Sequence, residues 1–282
     1  MDEIIQRTAL SKKERIELQR FLYKELIRLS LIVNPTLTEP QIYGLISALV
    51  KKARYQVNGE TDSVRIAQLL QFFYHDEGFH CHHAEYFYTQ NLLLDKVLRH
   101  HRGMPVSLGA ILLHLASVLD LPLYPVNFPT QLIIRADITT EGGRKETHFI
   151  NPWDGSTLSV EKLEKWLEGE MGFGAELDRE TLSIANEAEL LERLETVFKM
   201  ALTREKKYEE ALRLIEYRLL QDPEDPYEIR DRGMILASMD CYQAAYEDLS
   251  YFIDQCPDDP SAMMLKLEIA GLEKQSKASV LH

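Results

Sequence analysis

Cysteine is scarce in this 282-residue chain, with only Cys81, Cys241 and Cys256. An odd, low count excludes a disulfide framework and points to reduced thiols in a cytoplasmic setting. Glycine and proline are also few, 13 and 11, which argues against disorder and against an all-β chain rich in tight turns. Long apolar runs are missing. The longest, such as Ala110–Leu115, itself broken by His114, stop far short of the 18 or more residues that span a bilayer. The opening segment MDEIIQRTALSKKER has no apolar core of signal-peptide length. Positive charge is in short supply: 32 Lys and Arg face 45 Asp and Glu, for a formal charge of −13. That deficit argues against nucleic acid or an anionic membrane as the main partner, because phosphate binding needs a basic face. A folded cytoplasmic protein is the expectation, with no nucleic acid and no membrane as partner.

What is present is an ordinary globular composition, 45% hydrophobic and 27% charged. The length is enough for one large domain or two of common size. The first hundred residues read as helices. Lys12 to Leu31 carries Ile16, Leu18, Phe21, Leu22, Leu26 and Leu29 at near-helical period, and Asn34-Pro35 ends it. Glu39-Pro40 opens a second helix with Ile42, Leu45, Ile46, Leu49 and Val50 on one face. After the break at Asn58-Gly59, Thr61-Asp62-Ser63 caps a third. A fourth runs from Leu92 to Leu98. Val106 to Leu119 follows, nearly all apolar or small, and is the most buried stretch predicted.

The texture then changes. Leu123–Phe128, Gln131–Ala136 and Thr147–Ile150 are short and rich in Val, Ile and aromatics, with Glu141-Gly142-Gly143 as a hairpin loop between the last two. The fold class predicted is α+β: mostly helical, with a small antiparallel sheet packed on a buried helix and a helical C-terminal domain. The expected division is residues 1–180 and 181–282.

The C-terminal part repeats. Tyr208-Glu-Glu-Ala211 recurs as Tyr242-Gln-Ala-Ala245, and Asp222-Pro223-Glu-Asp225-Pro226 recurs as Cys256-Pro257-Asp-Asp259-Pro260, each 34 residues on. That is the tetratricopeptide period, a helix-turn-helix unit with small residues where helices cross. Gly233 and Ala245 fit the small positions, while Lys199, the counterpart of Gly233, departs from them. Five helices are predicted near 189–204, 207–221, 227–239, 242–256 and 261–273.

Several residues offer chemistry. Ser107 stands at the start of the buried helix, where backbone N–H groups favour a developing anion. Its simpler role is to cap or border that helix. His80-Cys81-His82-His83 concentrates metal-ligating side chains. Neighbours on one backbone point in different directions and no second pair follows, so no metal is expected. Arg99-His100-His101-Arg102 is the one compact basic patch. Arg230 and Arg232 lie in a charge-dense helix, where they either pair between repeats or line a peptide groove.

The segments Leu94-Asp-Lys-Val-Leu-Arg-His-His-Arg-Gly-Met-Pro-Val-Ser-Leu108, Leu121-Pro122, Phe128-Pro-Thr-Gln-Leu-Ile-Ile-Arg135 and Phe149-Ile-Asn-Pro-Trp-Asp-Gly155 resemble the bacterial SirB-type family. In that family a transglutaminase-like core precedes tetratricopeptide-like repeats. The resemblance runs from about Leu69 to Leu272. Active transglutaminase-like enzymes carry a Cys nucleophile, a His base and an orienting Asp. The resemblance puts these three positions at Pro105, Gln131 and Asn151. Proline has no nucleophilic atom, glutamine is no base near neutral pH, and asparagine carries no charge to stabilise an imidazolium. The resemblance thus implies a pseudoenzyme with a retired site. Pro105 is expected at or just before the start of the buried helix, near Gln131 and Asn151 on adjacent strands, whose amides satisfy each other or nearby backbone.

The function expected is a non-catalytic interaction scaffold or regulator with an unidentified protein partner, no cofactor, and an oligomeric state left open. Ser107, His148, Trp153, Arg230 and Arg232 are the candidate binding residues. The competing reading is a hydrolase or protease rebuilt around Ser107 or Cys81 with a nearby His, such as His148.

Overall fold

The computed structural model describes residues 10–82, 86–140 and 143–279, the last four as backbone only. Contacts divide the chain into two compact units, Met1–Leu31 with Thr36–Phe198, and Ile32–Pro35 with Lys199–His282.

The first unit begins with α1 (Lys12–Val33), α2 (Glu39–Gln56) and α3 (Asp62–Leu70). Proline follows immediately at the start of α2, and the Thr61 hydroxyl accepts from the Val64 N–H to cap α3, as the sequence predicts. A π-helical turn over Gln71–Asp76 extends α3 and buries Phe72, Phe73 and Tyr74. The short α4 (Leu94–His100) ends at His101, in left-handed conformation with φ 54°. Its ring stacks on Phe79 and its Nδ1 meets the Glu77 carbonyl.

The helix α5 (Pro105–Leu119) is the centre of this unit, with most of its residues buried. Four antiparallel strands follow in spatial order β1 (Leu123–Asn127), β2 (Leu132–Thr139), β3 (Lys145–Ile150) and β4 (Thr157–Leu158). The fold class is α+β. On one face of β2, Leu132 and Ile134 pack on α5. A Cβ added at Gly109 would lie 2.6 Å from Leu132 and 3.6 Å from Ile134 and from Pro152, so a larger residue would have to displace the Leu132 side chain. The other face carries Val126, Phe128, Ile133 and Phe149 into a cluster with Leu163 and Leu167 of α6 (Val160–Met171). Covering both faces explains why β2 reads as a continuous apolar run and not as an alternating one. Pro125 is tolerated because β1 is an edge strand, where a missing N–H leaves no ladder bond unmade. Gln19 of α1 is fully buried and gives its side-chain amide to the carbonyls of Leu121 (2.8 Å) and Leu123 (2.7 Å), fixing α1 to the turn into the sheet.

The second unit holds α8 (Tyr208–Leu219), α9 (Pro226–Ser238), α10 (Tyr242–Gln255) and α11 (Pro260–Ser279). These follow α7 (Glu187–Arg204), in which the division between the units falls. All five predicted C-terminal helices are present. Ala211 and Ala245 are fully buried, and a Cβ at Gly233 would meet Leu249 at 2.9 Å and Asp248 at 3.0 Å. The small positions of the 34-residue pattern are thus where helices touch. Lys199 uses its departure from that pattern to bond Glu228 (3.0 Å) and Asp231 (2.6 Å).

Candidate functional site

The chain reaches the candidate site by three short routes. Met104 is extended, and Pro105 occupies the first turn of α5, where a missing N–H costs no helical bond. Pro105 is buried and lies one helical turn before Gly109, on the side of α5 that meets β2 and Pro152. Gln131 immediately precedes β2, and Asn151 immediately follows β3. Because Ile134 pairs with Ile150, the two strand ends lie side by side.

There the Gln131 side-chain amide donates to Asn151 Oδ1 at 2.8 Å. The same oxygen accepts from the Trp153 N–H at 3.2 Å, while the Asn151 N–H donates to the Ser156 carbonyl at 2.8 Å. Asn151 is 5% exposed, so these bonds supply the partners that a buried amide needs. The following turn is clamped by the Tyr74 hydroxyl, which donates to the Pro152 carbonyl at 2.9 Å. Gly155 closes the turn at φ +74° beneath the Tyr74 ring. The Trp153 carbonyl accepts from the Cys81 N–H at 3.3 Å, and the indole stacks on Tyr86 with centroids 5.4 Å apart.

The other sequence candidates separate. Ser107 is fully buried. Its hydroxyl donates to the Asn91 carbonyl at 2.6 Å and accepts from the Met104 N–H at 3.0 Å. This is the helix-start role. His148 is exposed on β3 and meets Glu146 at 3.3 Å. Among the described residues, Ser107 and His148 make no bond to each other. Cys81 is buried, and burial pushes its thiol up to about 12, away from the thiolate that a nucleophile requires. His80 directs Nδ1 to the Gly78 carbonyl at 2.9 Å, and His83 lies outside the described residues. Among the described residues no three His, Cys, Asp or Glu side chains are grouped to hold a metal.

Arg230 and Arg232 are engaged inside the second unit. Arg232 forms a two-pronged pair with Asp248, both bonds 2.7 Å. Arg230 bonds Asp231 at 2.7 Å and lies over the rings of Tyr227 and Phe252. Arg232 thus pairs from α9 to α10 and Arg230 with its own neighbour, where the sequence offers pairing between repeats or a peptide groove.

Two residues beside the candidate site carried no sequence signal. Arg193 of α7 donates to the Asn127 side chain and to the Phe128 carbonyl at 2.6 Å, binding the segment that leads to Gln131. Burial holds its guanidinium below the usual range. Asn91 acts on Ser107 through its backbone, which no residue type advertises.

A sheet-and-buried-helix core followed by 34-residue helical pairs defines a class, a transglutaminase-like unit joined to tetratricopeptide repeats. Family models agree in that order: the transglutaminase-like superfamily matches residues 41–196 and the tetratricopeptide repeat matches 198–270. A UPF0162 protein of Pasteurella multocida is 51% identical over 84% of this chain and 88% of its own length. Protein SirB1 of Salmonella typhimurium is 43% identical, and UPF0162 protein YchA of Escherichia coli 41%, each over 86% of this chain and 88% of its own length. The chain belongs to this SirB1/UPF0162 family of transglutaminase-like proteins. No solved structure matches it.

Proposed function

We propose that the protein is a non-catalytic cytoplasmic interaction scaffold, in which a retired transglutaminase-like core is kept as a structural platform and the repeats engage a protein partner. The observation that carries this reading is the Gln131–Asn151 bond of 2.8 Å at the end of β3, next to a helix that opens on Pro105. At the positions the family resemblance assigns to base and orienter, two neutral amides satisfy each other, and neither can take up or stabilise a proton near neutral pH. The raised Cys81 thiol and the helix-bound Ser107 hydroxyl support the same reading. So does the exposed apolar surface of the repeats, which includes Met234, Met263, Met264 and Leu267. No helix among the described residues is long and apolar enough to cross a membrane.

The test is amine incorporation and peptide hydrolysis by the purified protein, beside cross-linking of the full chain in native extract. The scaffold reading expects no turnover. It also expects a defined cross-linked partner that Met264→Asp with Leu267→Asp releases. Turnover abolished by Ser107→Ala or Cys81→Ala would replace it with a rebuilt hydrolase.

A further inference from the structure

A cleft of about 500 Å³ opens between α1, α2 and α5, within the first unit and apart from the candidate site. Its floor is Tyr23 stacked on His114, with ring centroids 4.1 Å apart and planes 26° from parallel. Ile46, Val50 and Val118 supply apolar walls. Two polar atoms in this floor, Tyr23 Oη and His114 Nδ1, are buried without a hydrogen-bond partner. Folded proteins rarely leave such groups unsatisfied, because each forfeits its bond to water.

The charged residues of the lining have one sign. Lys51 and Arg54 project from α2 at its edge, and neither forms an ion pair among the described residues. Arg20 lies close enough to His114 to disfavour its protonation, while its Nε donates to Ser117 Oγ at 3.1 Å. The Glu39 carboxylate lies near the Tyr43 hydroxyl on the cleft lining. Two cations without an ion pair among the described residues thus stand over an apolar, aromatic-floored cleft. The size falls within the roughly 300–1,000 Å³ of small-molecule sites, which are mostly apolar with a few placed polar groups.

We propose that this cleft binds a small organic anion with an apolar body. The carboxylate or sulfonate lies between Lys51 and Arg54, and the aromatic or short alkyl part covers the Tyr23–His114 stack. The inference is independent of the scaffold reading, since it uses no residue of the retired site or of the repeats.

The test uses three soluble compounds of one shape, 4-phenylbutyrate, 4-phenylbutanol and 4-phenylbutylamine, titrated calorimetrically into the full-length protein at pH 7. The acid is expected to bind one to one, at least tenfold tighter than the alcohol, with no binding of the amine. The variant carrying Lys51→Glu and Arg54→Glu, both exposed, should invert the order of acid and amine and leave the melting temperature within a few degrees. Ser47→Trp, an exposed position on the cleft lining, should block all three, with the fold checked by circular dichroism. Equal binding of acid and alcohol, an order unmoved by the charge reversal, binding that survives Ser47→Trp, or no binding of the acid would each overturn the proposal.

Discussion

Gln131 donates its side-chain amide to Asn151 at 2.8 Å, and this one bond joins the residue before β2 to the residue after β3. Asn151 Oδ1 also receives the Trp153 N–H, so a single oxygen organises both the strand ends and the turn. Asn151→Ala removes both bonds and should lower stability by about 1–3 kcal/mol. A double-mutant cycle with Gln131→Ala should return a coupling of about 1 kcal/mol, read from urea midpoints. Additive effects would mean that the two amides do not act as a pair.

Glycine substitutions separate backbone strain from collision. Gly155 has φ +74°, and its added Cβ would lie 2.4 Å from the buried Tyr74 ring; Gly143 has φ +77° with nothing within 4 Å. Gly143→Ala should therefore cost about 1 kcal/mol, the strain of the left-handed region alone. Gly155→Ala should cost about 3 kcal/mol, because overpacking adds to that strain. Thermal melting of the two variants compares them directly, and equal losses would contradict the packing of Tyr74 on the turn.

Within helices the same residue divides the other way. Gly44 sits in α2 with open space around it, while a Cβ at Gly233 meets Leu249 and Asp248. Gly44→Ala should stabilise by about 1 kcal/mol through helix propensity. At Gly233 that gain is smaller than the roughly 1–3 kcal/mol of overpacking, so Gly233→Ala should destabilise. Ala245→Arg, at a fully buried position, should unfold the repeats, as followed by loss of helical ellipticity. Retention of the wild-type melting curve would count against the helix crossings.

His114 gives the protein an acid-sensitive element. Burial, aided by the nearby Arg20 cation, lowers its pKa to about 4 from an ordinary 6.5. Between these values the unfolded chain binds the proton and the folded chain does not, so stability is complete above pH 6.5 and falls as pH drops toward 4. The loss is on the order of 3 kcal/mol. His114→Gln should flatten this limb of the stability–pH curve, measured by chemical denaturation from pH 7 to pH 4.

Thiol reactivity checks the burial of Cys81. Cys241 is exposed and Cys256 partly so, whereas Cys81 is buried with its thiol pushed up to about 12. A chromogenic disulfide reagent at pH 8 should titrate Cys241 first and reach Cys81 only on unfolding. Fast labelling of Cys81 in the native protein would revive it as a nucleophile.

The local pattern of residues determined much of this protein. Apolar period placed α1 and α2, because an amphipathic face is written in consecutive residues; a nearly continuous apolar stretch placed α5, and the 34-residue recurrence placed the repeat helices. The 34-residue recurrence located the close crossings at Ala211, Gly233 and Ala245, since only small residues fit there. The expectation that Gln131 and Asn151 lie on neighbouring strands, bonded to each other or to nearby backbone, came from a family resemblance, and the two amides do meet. Tertiary structure decided the rest. The two-residue strand β4 is too short to carry a period, and the π-helical turn after α3 obeys hydrogen bonds that the sequence pattern does not display. The second covering of the sheet by α6 depends on Leu163 and Leu167 reaching Phe128 and Phe149, residues brought together by the turn between them. The Arg232–Asp248 pair joins two helices, a contact that the charge pattern alone does not specify. The stack of Tyr23 on His114 joins residues far apart in the chain, and no local pattern encodes a contact that exists only after α1 and α5 have packed.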